Sequence, residues 1–221
     1  MLRETIDAIR PTSDEHLTAA RERQDELTKP AGSLGLLEDV GNRLAAITRQ
    51  CPPPVPRRAV VGVFAGDHGV CAQSVTPWPQ EVTVQMLLNM ASGGAAISVL
   101  SDELGASTML TDVGVMGDYP EHPGIRNRNV AKGTADMSVE PAMTREQAEQ
   151  ALEVGIQTAL EAVDAGAEIL LTGDMGIGNT TASSALIAVF TGKQVADVTG
   201  RGTGIDDVML CLLYTSDAAD E

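Results

Sequence analysis

Aromatic side chains are scarce in this 221-residue chain, which holds one Trp, two Tyr and two Phe. Hydrophobic residues still make up 43%, an ordinary share for a globular protein, so the interior must be built from Ala, Val, Leu, Ile and Met. Basic residues are also few, 15 Lys and Arg against 31 Asp and Glu, for a formal net charge of −16. That balance argues against nucleic acid or an anionic membrane surface as partner. It leaves phosphate binding open, because backbone N–H groups hold an anion without a basic patch. The three cysteines, Cys51, Cys71 and Cys211, show neither CxxC nor zinc spacing and suit a reducing compartment. No secretory signal and no apolar run of membrane-spanning length stands out. The expectation is a soluble cytoplasmic protein.

What is present changes character near residue 57. The start, MLRETIDAIRP, is a short amphipathic piece interrupted by Pro11. Ser13 is a suitable N-cap for a charged helix to about Thr28, with Asp14 and Glu15 in its first turn. A second helix is expected over roughly Leu34 to Gln50, and CPPPVP at 51–56 is a stiff connector. Residues 1–56 therefore read as a small helical part, and 57–210 as an α/β core. Three β-branched apolar runs ending near Gly or Asp, at 58–66, 106–114 and 167–174, read as buried parallel strands, with a short strand near 129–132. Helices are expected at 81–92, at 94–104, from Thr144 to about Gly166 and from near Asn179. Thr144 with Gln147 fits a capping box. Strands alternating with helices predict a three-layer α/β fold of Rossmann-like type, a parallel sheet covered on both faces. Ligands of such sheets lie at the carboxyl ends of strands.

The strongest local signal, Gly173-Asp174-Met175-Gly176-Ile177-Gly178-Asn179-Thr180-Thr181, joins a strand to a helix. Its glycines permit close backbone approach and positive φ. Asn179, Thr180 and Thr181 add donors at a helix N-terminus, where free N–H groups favour an anion. No Gly-Lys-Ser/Thr follows, so this is not a Walker A loop, and the glycine spacing is not that of a dinucleotide fingerprint. A plain capped turn is the competing reading. Asp174 would be repelled by a phosphate, so it suits neutral ribose hydroxyls or merely stabilises the turn. His68, in Asp67-His68-Gly69 at the end of the first strand, is either an acid–base group or a structural histidine. His16 and His122 show no useful spacing with it, and no metal set is expected. Trp78, between two prolines and followed by Gln85 and Met86, offers a wall for a flat heteroaromatic or plugs the core edge. A second Gly-rich loop, Gly200 to Asp207, contains Arg201; it adds a phosphate or ribose contact or is a connection.

Taken together, the ordered segments KPAGSLGLLE (29–38), AGDHGV (65–70), PQEVTVQM (79–86), TDVGV (111–115), GDMGIGNTTASSAL (173–186), FTG (190–192) and GRGTGIDD (200–207) resemble the nicotinate-nucleotide:dimethylbenzimidazole phosphoribosyltransferase family. The resemblance implies a homodimer without metal or other cofactor. It implies that nicotinate mononucleotide and 5,6-dimethylbenzimidazole are joined, releasing nicotinate and forming α-ribazole 5′-phosphate for the lower ligand of cobalamin. By the same resemblance, Gly176, Gly178, Asn179, Thr180 and Thr181 hold the phosphate, and Asp174 faces the ribose where the family more often carries Glu. Trp78, Gln85 and Met86 border the benzimidazole slot. The family's general base, a glutamate in the C-terminal third, has no counterpart in these 221 residues. A phosphoribosyltransferase with another acceptor base and a non-catalytic phosphate-ligand module are the alternatives. Residues 211–221, CLLYTSDAADE, depart from the family pattern and read as a translated sequencing adapter. A truncated copy, inactive and poorly soluble, is the expectation.

Overall fold

The computed structural model describes residues 1–200 and Gly202. It divides into a unit spanning Arg3–Arg57 and another from Arg58 onward. The first carries α1 (Leu2–Ala8), α2 (Asp14–Glu26) and α3 (Leu36–Thr48). The Ser13 side chain accepts from the His16 N–H, capping α2 above Asp14 and Glu15. Ala20 of α2 and Ala45 and Ala46 of α3 are buried, and these small side chains let the two helices pack closely. The KPAGSLGLLE turn between them is closed by Glu38, which accepts from Lys29 Nζ at 2.7 Å and from the Leu34 N–H at 3.2 Å. The Lys29 hydrogen bond, aided by that N–H, holds the Glu38 carboxyl below its ordinary range.

The second unit holds β1 (Ala59–Gly66), α4 (Glu81–Ala91), α5 (Ala96–Glu103), β2 (Ser107–Gly114), β3 (Ile125–Asn127), α6 (Arg145–Asp164), β4 (Ile169–Met175), α7 (Asn179–Thr191) and α8 (Val195–Val198). A 3₁₀ turn, Gly69–Gln73, follows β1. The four strands form one sheet in the order β3-β2-β1-β4, every pair parallel. Alternation along β1 sends Val61, Val63 and Ala65 to a core shared with Leu87 of α4 and Leu110 of β2. The chain steps from β1 to β2 in one direction, then crosses back from β3 past both to β4. With right-handed crossovers, α4 and α5 therefore cover one face and α6 the other. Direction reverses between β1 and β4. In a parallel sheet that reversal opens a crevice at the carboxyl ends.

Two sequence expectations need correction. The short third strand is Ile125–Asn127, not 129–132. Asn127 Oδ1 accepts from the Asn129 N–H at 3.2 Å, an Asx turn that bends the chain out of the ladder. The Asn129 side chain then donates to Asp112 and to the Val115 carbonyl. Secondly, Glu81–Glu103 is long and apolar enough to cross a membrane by length and composition. The fold divides this segment into α4 and α5 around Gly93, at φ 81°, in agreement with the two helices expected at 81–92 and 94–104, and buries Leu87 completely against the sheet.

Candidate phosphate site at the strand switch point

Register places the carboxyl ends of β1 and β4 side by side, Phe64 opposite Asp174 and Ala65 opposite Met175. The two turns leaving these strands, Asp67–Gly69 and Gly176–Gly178, therefore meet at the switch point. They meet without room to spare. A Cβ on Gly176 would lie 2.0 Å from the Gly66 carbonyl oxygen and 3.1 Å from His68 Nε2. Gly178 stands at φ 86° as the N-cap of α7, and a Cβ there would lie 2.6 Å from Cys71 Sγ. Both glycines are thus required by contact, and Gly178 by backbone conformation as well.

The turn's donors are partly spent inside the protein. The Asn179 N–H donates to the Gly176 carbonyl and that of Thr181 to Gly178, while the Ile177 N–H donates to Thr83 Oγ1 at 3.1 Å. Among the described residues the Gly178 and Thr180 N–H groups take no such partner. They sit at the positive end of a 13-residue helix, as an anion seat demands. Thr181 is 1% exposed and its hydroxyl has no partner among the described residues, a deficit that a ligand oxygen or a water would relieve. Gly202 approaches Thr180, its would-be Cβ 2.9 Å from Thr180 Oγ1. Gly202 of the second glycine-rich segment thereby reaches this turn; Arg201 and residues 203–207 lie outside the described residues. So does the tail, 211–221.

Asp174 is exposed at the end of β4 and accepts from Asn179 Nδ2 at 2.5 Å. Its carboxylate flanks the turn rather than filling it. Met86 is half-buried on α4, and Gln85 on the same helix is exposed. Trp78 is exposed, with its backbone N–H donating to Thr76 Oγ1. No contact joins Trp78 or Gln85 to the 174–181 turn among the described interactions; α4 reaches that turn through Thr83.

That link is the part the sequence did not reveal. Asp67, 2% exposed, accepts from the Thr83 hydroxyl at 2.7 Å and from the Met116 N–H at 2.8 Å. Its own N–H donates to the Gly114 carbonyl at the end of β2. One carboxylate therefore ties β1, α4 and the loop after β2 together. The only clue was a threonine one turn from Leu87 on the buried side of an amphipathic helix.

His68 lies between this turn and an apolar cavity of about 160 Å³ whose lining includes Gly66, His68, Gly114 and Met143. Burial lowers the His68 pKa from 6.5, against the opposing pull of Asp67 and Asp174. The imidazole is therefore neutral at pH 7. Burial, followed by the Asp67 charge, pushes the Cys71 thiol up to about 11, so it stays protonated and donates to the Ile177 carbonyl at 3.2 Å. Among the described residues no cluster of His, Cys, Asp and Glu is arranged to hold a metal ion.

Against known proteins, a family model described as "Phosphoribosyltransferase" matches residues 9–211. The chain is 55% identical over 210 residues to the nicotinate-nucleotide–dimethylbenzimidazole phosphoribosyltransferase of Chloroflexus aggregans, covering 95% of this chain and 59% of that protein. With the protein of the same name from Roseiflexus sp. it shares 54% identity, again over 95% of this chain and 59% of the relative. The crystal structure of CobT from Thermus thermophilus superposes with a TM-score of 0.85 at 46% identity, over 92% of this chain and 61% of that one. The chain thus spans about three-fifths of the length of these relatives.

Proposed function

From the premise that this chain belongs to the phosphoribosyltransferase family, as the match over residues 9–211 establishes, we propose that it carries the nucleotide-binding part of an enzyme that transfers phosphoribose from nicotinate mononucleotide to 5,6-dimethylbenzimidazole. The observation that carries this reading is the Gly176–Thr181 turn, set at the switch point with the Gly178 and Thr180 amides unengaged. These amides, with the Asn179 and Thr180 side chains and the Thr181 hydroxyl, hold the 5′-phosphate. Asp174 lies at the turn's outer side, where a carboxylate meets ribose hydroxyls without facing the phosphate charge. On ligand binding it exchanges its Asn179 partner for a hydroxyl. Trp78, Gln85 and Met86 border the acceptor base.

With phosphate and ribose held, the acceptor nitrogen attacks C1′ as the bond to nicotinate breaks, from the opposite face and with inversion. Orientation supplies much of the acceleration. A base must remove the acceptor's proton, and His68, neutral at pH 7 but enclosed beside the phosphate turn, is not assigned that role. The family's glutamate is, in the portion of the relatives beyond this chain's match. The longer protein is proposed to act in the cytoplasm as a homodimer, with residues 1–56 as its helical part and the core from 57.

Calorimetry tests the seat on this chain: nicotinate mononucleotide should bind at least tenfold more tightly than its dephosphorylated riboside. Equal affinities would end the proposal. Turnover is tested on a form extended to the relatives' length, where nicotinate release should depend on added dimethylbenzimidazole.

A further inference from the structure

We propose that Thr83 is a positioning residue for the phosphate turn: held by Asp67, it withdraws the Ile177 amide from the ligand and so fixes the Gly178 and Thr180 amides as the donors that receive the phosphate. This rests on the functional reading above and adds to it how the seat is held open. The direction of each bond is forced by chemistry. Asp67 Oδ1, 2.7 Å from Thr83 Oγ1, takes the single hydroxyl proton. The hydroxyl then has only lone pairs to offer, and the Ile177 N–H fills one at 3.1 Å. A carboxylate behind the hydroxyl polarises it and strengthens it as an acceptor. Thr83 is fully buried, so water does not compete for either bond. Asp67 is itself fixed by the Met116 N–H at 2.8 Å, which makes the chain Met116–Asp67–Thr83–Ile177 a brace running from β2's exit to β4's exit. From the other side, the Cys71 thiol donates to the carbonyl of the same Ile177. Both polar groups of that residue are therefore occupied by the protein, one residue ahead of the N-cap.

The test compares nicotinate mononucleotide with nicotinate riboside on wild type, Thr83→Val and Thr83→Ser. The inference expects Thr83→Val to bind the mononucleotide about tenfold more weakly while its riboside affinity stays within about twofold, and Thr83→Ser to behave as wild type. A general packing defect would weaken both ligands alike or fail to be rescued by serine, and either result overturns the inference. So does a Thr83→Val protein that keeps its full preference for the mononucleotide. If wild type itself shows no such preference, the phosphate seat falls and this inference with it, which separates the two failures. Amide hydrogen exchange on the wild-type chain decides the matter even if Thr83→Val does not fold. Ile177 should exchange slowly with or without mononucleotide, and Gly178 and Thr180 should slow only when it is added. Fast exchange at Ile177 that slows on binding would overturn the brace.

Discussion

His68 is enclosed by the phosphate turn on one side and the cavity on the other, and burial keeps its pKa below 6.5. The unfolded chain therefore binds a proton in a pH range where the folded chain does not. Stability is fully present above about pH 6.5 and is lost as pH falls toward the lowered folded value. Denaturant unfolding measured between pH 7.5 and 5.5 should show this slope, and His68→Gln should flatten it. A steeper slope in the variant would contradict the enclosure. Gly178 makes a second residue-scale prediction. Alanine there would hold φ 86° with its Cβ against Cys71 Sγ, so Gly178→Ala should destabilise the protein by about 1–3 kcal/mol. The loss would appear as a lower urea midpoint, together with weaker mononucleotide binding.

At the level of elements, α6 is the one whose beginning is written most plainly. Thr144 Oγ1 accepts from the Gln147 N–H at 3.2 Å, and Gln147 Oε1 accepts from the Thr144 N–H at 2.8 Å. Both halves of the capping box are thus formed. Thr144→Ala should cost about 1 kcal/mol of stability and Thr144→Ser very little, as read by chemical denaturation. The α4–α5 segment was legible as two helices, although hydropathy alone reads it differently. Its composition allows one long apolar helix. Burial of Leu87 and Thr83 against the sheet, with Gly93 at positive φ, makes it two. Hydropathy registers the amount of apolar surface; the sheet decides where it goes.

On the scale of the whole molecule, the sheet is unevenly covered. β4 ends the described strand order, and Leu170 and Leu171 on it are 38% and 50% exposed. On the following helix, Leu186, Val189 and Phe190 recur at i, i+3 and i+4 and remain exposed. An exposed apolar stripe, and a strand that ends the sheet among the described residues, both favour association. The 221-residue chain is expected to sediment as concentration-dependent oligomers and to enhance the fluorescence of an apolar dye. Phe190→Ser with Val189→Lys should reduce both signals. A monomer at high concentration with no dye response would count against it.

The sequence by itself determined the strands it placed at 58–66, 106–114 and 167–174, found within two residues of those bounds at Ala59–Gly66, Ser107–Gly114 and Ile169–Met175, the capped helices and the glycine-rich turn at 173–181, because each is set by local chemistry: β-branched runs, cap hydroxyls, residues without a Cβ. The family pattern was readable for the same reason, since its segments are short and contiguous. Tertiary structure alone decided that Asp67, Thr83, Met116 and Ile177 form one hydrogen-bonded chain, as their partners lie 16 to 94 positions apart. It also decided the Asx turn after β3, which places that strand at 125–127 rather than 129–132. A residue's type says what it can bond to; which partner it reaches depends on how the strands are ordered and where the chain reverses.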